Sequence, residues 1–389
     1  MEIVEVKNKR QAKLFHDAAR LIYMNDATWV CPLDDEIESI FDPARNVFFK
    51  HGIVNRWLLY DDASKLAGRV AAFIDENTAG RQSQPTGGMG FFECVNDKDA
   101  AFKLFDTARD WLKEKGMEAM DGPINFGETD KYWGLLVEGF THPSYEIAYN
   151  HPYYRDLFES YGFRVYYKQE GFHLDLKKEL PPRFLKIAEW IAAKPEYSFH
   201  HFTWKEMDRW VNDFAAVYNE AWASFKTDFK PMEAEYIKKT LRKAKAIIDE
   251  EFIWLAYYED KPIAIYLMWP DVNMILKHLK GKLNLPAMIK FLYLKKKKTI
   301  TRARGVLMGV IPKYQGRGIE SGIILKVAEV MAKKSHYEEI EFSWVADFNP
   351  KMRKIFLSVG SLPAKHYITY RYMFDPDAEY QRYPIPEIK

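Results

Sequence analysis

The feature that most constrains this chain is an order of elements that recurs at a near-constant offset along its 389 residues. Ile3 to Val6 alternates as a strand does, and Arg10 to Met24 carries apolar residues at helical spacing. Two strands, Arg56 to Tyr60 and Gly68 to Ile74, flank the polar turn Asp61 to Lys65. A strand ending at Glu93, a helix from Asp99 to Lys115 closed by Gly116, a strand at Met117 to Met120, a helix from near Pro152 to Gly162 and a strand at Phe172 to Leu176 follow. The later half repeats this plan: strand Ser198 to Phe202, helix Trp210 to Trp222, hairpin Phe252 to Tyr257 with Ile263 to Met268, strand Val306 to Ile311, helix Ser321 to Lys334, strand Ile340 to Val345, helix Pro350 to Gly360 and strand Tyr367 to Phe374. Trp57 and Trp254 are 197 positions apart, and Pro152 and Pro350 are 198 apart, so the register holds at both ends. Each of these prolines opens a helix, where its missing N–H costs nothing. The expectation is two tandem α/β units with mixed sheets, residues 1–178 and 183–389, joined where LKKELPP (176–182) breaks the pattern.

The register is lost in the middle, because each half carries its own insertion. The first half has a long connection, Asn125 to Asn150, rich in aromatics with Asn, Glu and His; it suits either recognition of a small polar ligand or a cover for the interface between the units. The second half has a segment at 273–304 whose charge is one-sided. From Val272 to Ile319 there are twelve Lys or Arg and no Asp or Glu, so that this stretch is +12 and the rest of the chain is 2 − 12 = −10. Such a block attracts polyanions or forms a solvated helix face.

Two cysteines, Cys31 and Cys94, are too few for a disulfide framework or a zinc site, and the histidines show no metal-ligand spacing, so no metal is expected. No run of 18 apolar residues occurs and the first residues lack the apolar core of a signal peptide, which leads us to expect a cytoplasmic protein without a membrane span.

The stretch YQGRGIESG (314–322) lies between an apolar strand and an amphipathic helix. Glycines in such a turn let backbone N–H groups approach an anion at the positive end of the helix dipole. With the surrounding order of strands, Gln315-Gly-Arg-Gly318-Ile-Glu320 resembles the phosphate loop of the GNAT acyltransferase superfamily, and the stretch Asn349 to Gly360 resembles that family's later strand-to-helix segment. The resemblance implies two tandem GNAT-like acyl-CoA N-acyltransferase domains, the first with a degenerate loop (Glu93 to Ala100). It implies acetyl-CoA or another acyl-CoA as cofactor, its arm on Gly309, Val310 and Ile311 and its phosphates on Gln315, Gly316, Arg317, Gly318, Ile319 and Ser321, with Asn349 nearby. The acceptor would be a small amine or amino-acid-like molecule. The tandem plan is also similar to the Fem-type aminoacyl-tRNA-dependent ligases, a resemblance that implies tRNA as the partner of the +12 block, and a pair that binds ligand without turnover is a third reading.

Three departures from the family bear on catalysis. Glu320 stands where a small residue is usual; an acid in the first helical turn is favourable when it faces outward, which is the expected orientation. The tyrosine that serves the family as general acid is replaced by Phe356 and, in the first half, Phe158, so Phe356→Tyr is expected to restore a missing donor, with Tyr314 and Tyr367 as conceivable substitutes. No carboxylate lies on the strand before the loop; Glu341 and Asp347, on one face of the neighbouring strand by alternation, are the candidate bases.

Overall fold

The computed structural model of the chain describes residues 1–80, 84–223 and 231–385. In the first half the elements are β1 (Glu2–Glu5), α1 (Lys9–Ile22), α2 (Asp34–Ile40), β2 (Gly52–Tyr60), β3 (Leu66–Asp75), α3 (Glu76–Ala79), β4 (Thr86–Cys94), α4 (Lys98–Glu114), β5 (Ala119–Gly122), β6 (Leu135–Glu138), α5 (Tyr154–Tyr161) and β7 (Arg164–Asp175). The second half has α6 (Pro182–Ala192), β8 (Tyr197–His201), α7 (Met207–Ala223), α8 (Ala234–Lys243), β9 (Ile253–Tyr258), β10 (Lys261–Pro270), α9 (Asn273–Leu276), α10 (Leu285–Lys296), β11 (Arg302–Val310), α11 (Ile319–Lys333), β12 (Glu339–Ala346), α12 (Pro350–Ser358) and β13 (Leu362–Met373). Local chemistry sets many of these ends. Asn8, Asp97, Asn284 and Asn349 each accept a first-turn N–H of the helix they precede, and Gly162 closes α5 in the left-handed region. Pro182, at the head of α6, starts a helix rather than merely breaking a pattern.

All strands share one sheet, ordered β1-β2-β3-β4-β5-β13-β7-β12-β11-β10-β9-β8, with β6 added against β13. The last strands of the two halves have changed places. β13 pairs with β5 of the first half, and β7 pairs with β12 of the second. The cores follow the strands: Phe172 and Leu174 of β7 are buried in the second-half core, while Ile368 and Tyr370 of β13 are buried in the first-half core. Each core is therefore completed by a strand from the other half.

In both halves the fourth and fifth strands run parallel and then separate. β4 pairs with β5 only over Thr86–Gly88, and β11 pairs with β12 only over Arg302–Gly305. A bulge sits at each departure. Pairing skips Val306 between Gly305 and Leu307 on β11, and β4 carries an extra residue between Gly90 and Glu93. In the first half the opening is closed by chain, since Ile124 N donates to Met89 O at 2.8 Å and a side chain on Gly90 would strike the Ile124 carbonyl. In the second half no pairing with β12 occurs beyond Gly305.

Candidate functional site

β11 leaves β12, runs to Val310 and turns through Pro312–Tyr314 into Gln315–Gly318 at the head of α11. Gly316 and Gly318 have φ of 74° and 81°, a region that disfavours residues with a Cβ. Their surroundings differ. Nothing lies within 4 Å of a Cβ built on Gly316, whereas one on Gly318 would press on Ile187 and Ile191 of α6. Gln315 Nε2 donates to Val310 O at 3.1 Å and fixes the turn against the strand. Ser321 N donates to Gly318 O at 3.0 Å, which leaves, among the described residues, the N–H groups of Gly316, Arg317, Gly318 and Ile319 as the free donors of the helix end. Ile319 is buried and anchors the first turn.

Other expected contacts have different occupants. Gly309 has no room for a Cβ because the Trp222 indole lies against it, and Trp222 in turn stacks on Tyr218 at 4.7 Å. Val310 O is taken by Gln315, and Ile311 N donates to Ile263 O. Asn349 caps α12 by accepting from Met352 N. Glu320 does not face solvent as expected: it is half-buried, burial raises its pKa, and its carboxylate turns back on its own N–H. Phe356 is sealed between Phe342, stacked at 4.4 Å, and Phe172, edge-on at 5.4 Å. A hydroxyl at 356 would enter this aromatic layer, so Phe356→Tyr is expected to lower stability by about 1–3 kcal/mol in a denaturant titration rather than restore an acid.

The candidate catalytic residues do not converge. Tyr314 is buried beside Tyr258, with Arg317 5.1 Å and Lys313 5.6 Å from its ring centre. Asp347 accepts from Lys168 N at 3.2 Å and from Arg382 at 2.8 Å, tying the C-terminal segment to β7. A bulge in β12 between Phe342 and Val345 interrupts the alternation that was to bring Glu341 and Asp347 onto one face. Glu341 lies in a buried ion cluster. Lys365 Nζ donates to both its oxygens at 2.8 Å, and Arg302 donates to Oε2 at 3.1 Å and to Asp271 at 2.7 Å. Burial raises the Glu341 pKa, but Lys365 and Arg302 outweigh it and hold the group below the usual carboxylate range. Arg302 also donates to His142 Nδ1 at 2.9 Å; burial and the Arg302 charge push this imidazole down to about 4, so it is neutral and accepts. Arg304, 1% exposed, binds the carbonyls of Tyr145 and Asp130 and lies 3.6 Å from Glu146. Two residues of the basic block are thus internal clamps on the 125–150 connection.

Beside this cluster are polar atoms with no partner. Tyr367 Oη, Gln169 Nε2 and Ser343 Oγ are buried and make no hydrogen bond among the described residues. They belong to β13, β7 and the bulged stretch of β12, next to the point where β11 departs. The Tyr367 ring passes Gly171 of β7, where a Cβ would stand 3.8 Å from it, an ordinary packing distance. Burial raises the Tyr367 pKa well above its ordinary value, the Glu341 charge adds to this, and Arg304 and Arg302 oppose it. The hydroxyl keeps its proton at neutral pH.

The 132–150 part of the connection walls a cavity of about 100 Å³. Trp29, Ile37, Phe91, Tyr132, Tyr149 and Leu276 give it an apolar, aromatic lining, and its charged groups are Arg69, Glu93 and Glu146. Glu93 accepts from Tyr154 at 2.8 Å and lies 3.5 Å from Arg69; burial raises its pKa against the pull of Arg69. Sequence reading passed over Arg69, Arg302 and Arg304 as site residues. Their signal was a cation inside an otherwise apolar strand, which burial permits only with partners. Among the described residues no group of three or more His, Cys, Asp or Glu is placed to hold a metal ion, and both cysteines are free.

Comparison with solved structures bears on the paired splays and the exchanged strands. A tandem GNAT protein from the clavulanic acid biosynthesis pathway aligns over 97% of this chain and 99% of its own, with a TM-score of 0.58 and 11% identity. The chain has the tandem GNAT fold. No family model matches the sequence. Over 384 residues, 95% of this chain and 96% of the relative, it is 28% identical to the bacterial ceramide synthase of Caulobacter vibrioides. It is 25% identical over 368 residues to protein YghO of Escherichia coli, covering 93% of each. In this chain the glycine turn belongs to the second copy of the fold, and the corresponding stretch of the first, Glu93 to Ala100, has no glycine.

Proposed function

We propose that this chain is an acyl-CoA-dependent N-acyltransferase with a long-chain amine as acceptor. One observation carries the first part: β11 separates from β12 at Gly305, bulges at Val306 and leads, without further pairing to β12, into a two-glycine turn at a helix N-terminus. An unpaired strand edge offers backbone donors and acceptors to an amide-bearing arm, and the helix end offers free N–H groups to phosphates. The turn fits the diphosphate end of coenzyme A through the open face of Gly316 and the exposed Lys313 and Arg317; Glu320 works against it. When bound, acyl-CoA supplies an acyl group on a thiolate leaving group. As the acceptor nitrogen bonds to the acyl carbon and the C–S bond breaks, the thiolate takes a proton from Tyr367 Oη, the group we assign as the acid, and the tyrosine oxygen recovers the proton that the amine gives up.

The acceptor class in this reading departs from the small amine expected from sequence. The Caulobacter relative is named for making ceramide, which is an amide of a long-chain amino alcohol, and the aliphatic and aromatic side chains among the cavity's lining residues, beside the charged Arg69, Glu93 and Glu146, are compatible with an acceptor that joins a polar head to a hydrocarbon.

Calorimetric titration with coenzyme A tests the cofactor assignment. Gly316→Asp puts a negative charge on the open face of the turn without touching a neighbour, so affinity is expected to fall about ten- to thirty-fold; because its φ of 74° strains any residue with a Cβ, Gly316→Asn, equally strained but uncharged, is the control and should keep most of the affinity. Wild-type affinity in the variant overturns the assignment. For the acceptor, amide formation from a long-chain acyl-CoA and a long-chain amino alcohol is expected, with amino acids and aminoacyl-tRNA inert; binding of coenzyme A without transfer to any amine would make the chain a ligand-binding relative instead.

A further inference from the structure

The basic insertion has an outer surface that neither the cofactor turn nor the cavity uses. α10 is apolar on nearly every side. Its inner edge, Ala287, Phe291 and Leu294, packs on the body of the protein. Leu285, Met288, Ile289, Leu292 and Tyr293, spaced i, i+3, i+4, i+7, i+8, are 48–70% exposed, and Leu283 just before the helix is 51% exposed. Single exposed apolar side chains are ordinary, but six on one short stretch form a patch that requires a covering partner.

Its surroundings name the partner. Lys277, Lys280, Lys282, Lys290 and Lys295 to Lys298 are all exposed around the patch, and none pairs with a carboxylate among the described residues. We propose that α10 docks this protein flat on an anionic membrane surface, its apolar stripe in the headgroup boundary and its lysines on the lipid phosphates. Twelve residues rise about 18 Å, short of the roughly 30 Å hydrocarbon core, so the helix lies on a bilayer rather than crossing it. Among the described residues no helix is long and apolar enough to span a membrane. A nucleic acid would satisfy the lysines but gain nothing from Leu285, Ile289 and Leu292. A second copy of this chain would cover the stripe but set eight lysines against eight.

The insertion also links this surface to the cavity. Asn273 and Leu276 of α9, on the same segment as α10, form part of the cavity wall, and Asn273 holds the Pro143 carbonyl at 3.0 Å. Docking stands on α10 alone and does not need the proposed reaction; if that reaction is right, an acceptor with a long chain reaches the cavity from the surface on which the protein sits.

Vesicle flotation of the full chain tests it, with phosphatidylcholine alone and with about 30 mol% phosphatidylglycerol, at about 0.1 M salt. Binding to the anionic vesicles is expected to exceed binding to the neutral ones at least about ten-fold. Ile289→Ser with Leu292→Ser should weaken it about thirty-fold, and replacing Lys295 to Lys298 by Ser should bring it to the level of neutral vesicles. These side chains are exposed, so melting temperatures should match the wild type. Failure to float with anionic vesicles overturns the proposal, as does binding that ignores both sets of substitutions. So does a tRNA complex, or a dimer lost in the Ile289/Leu292 variant, found without vesicle binding.

Discussion

Tyr367→Phe is expected to lower kcat for acyl transfer by about 10²–10⁴-fold while leaving the affinity for coenzyme A and the melting temperature almost unchanged. The two halves of this expectation rest on one fact. The Tyr367 hydroxyl is buried without a hydrogen-bond partner, so removing it breaks no bond and relieves a desolvated polar group. A structural hydroxyl would behave oppositely, costing stability first. As a proton donor, however, this hydroxyl is not backed up from positions 356 and 158, where Phe356 and Phe158 fill the aromatic layers of the two cores. Steady-state rates beside a thermal melt decide the matter. Unchanged turnover would remove Tyr367 from the mechanism, and a markedly lower melting temperature would reveal a partner for its oxygen.

Glu341→Ala is expected to destabilise the fold by about 3–5 kcal/mol, the cost of leaving buried cations without their counter-charge. Among the described residues, Lys365 and Arg302 would keep between them only Asp271 as a buried carboxylate within ion-pair reach, with Glu339 3.8 Å from Arg302 at the margin. The effect should carry a pH signature. The folded pKa of Glu341 is lowered, so its contribution is present above the unfolded carboxylate value of about 4.3 and is lost as pH falls through the folded value. The wild type should therefore approach the variant in stability under acid conditions, and urea titrations at neutral and acid pH will show whether the gap closes. A constant gap would mean that packing, not charge, is what Glu341 provides. Because the same cluster holds the carbonyls of His142 and Pro143, the variant should also loosen the connection that walls the cavity, read as faster amide exchange over residues 142–150.

Much of the plan was legible because it depends on periodicity and punctuation. The helix expected from Trp210 to Trp222 is α7, Met207–Ala223, and the helix expected from Ser321 is α11, Ile319–Lys333. The glycine turn was legible too, since only a left-handed backbone demands two glycines spaced as Gly316 and Gly318 are. The insertion was less so. Its ten lysines and arginines were counted within one block, but burial divides them: Arg302 and Arg304 turn inward onto a loop about 160 residues away in sequence, and eight lysines remain outside around α10. No count of charge separates a clamp from a surface, because the difference lies in what stands opposite.

The sequence by itself determined the duplicated α/β order, the place of the glycine turn, the one-sided charge of the insertion and the loss of tyrosine at positions 356 and 158. Each is written in spacing or composition over a short stretch. Only the tertiary structure decided which strand lies beside which. Alternation tells a strand which face to bury, but β7 and β13, twelve residues each and ending corresponding halves, carry the same instruction, so their exchange is invisible until the sheet is assembled. That exchange sets Tyr367 opposite Gln169 and Lys365 opposite Gly171 of β7, with Lys365 reaching the Glu341 carboxylate, joining residues from both halves at the centre of the sheet. The site is built from long-range pairings, and these are fixed by the packing of whole strands, which no local pattern records.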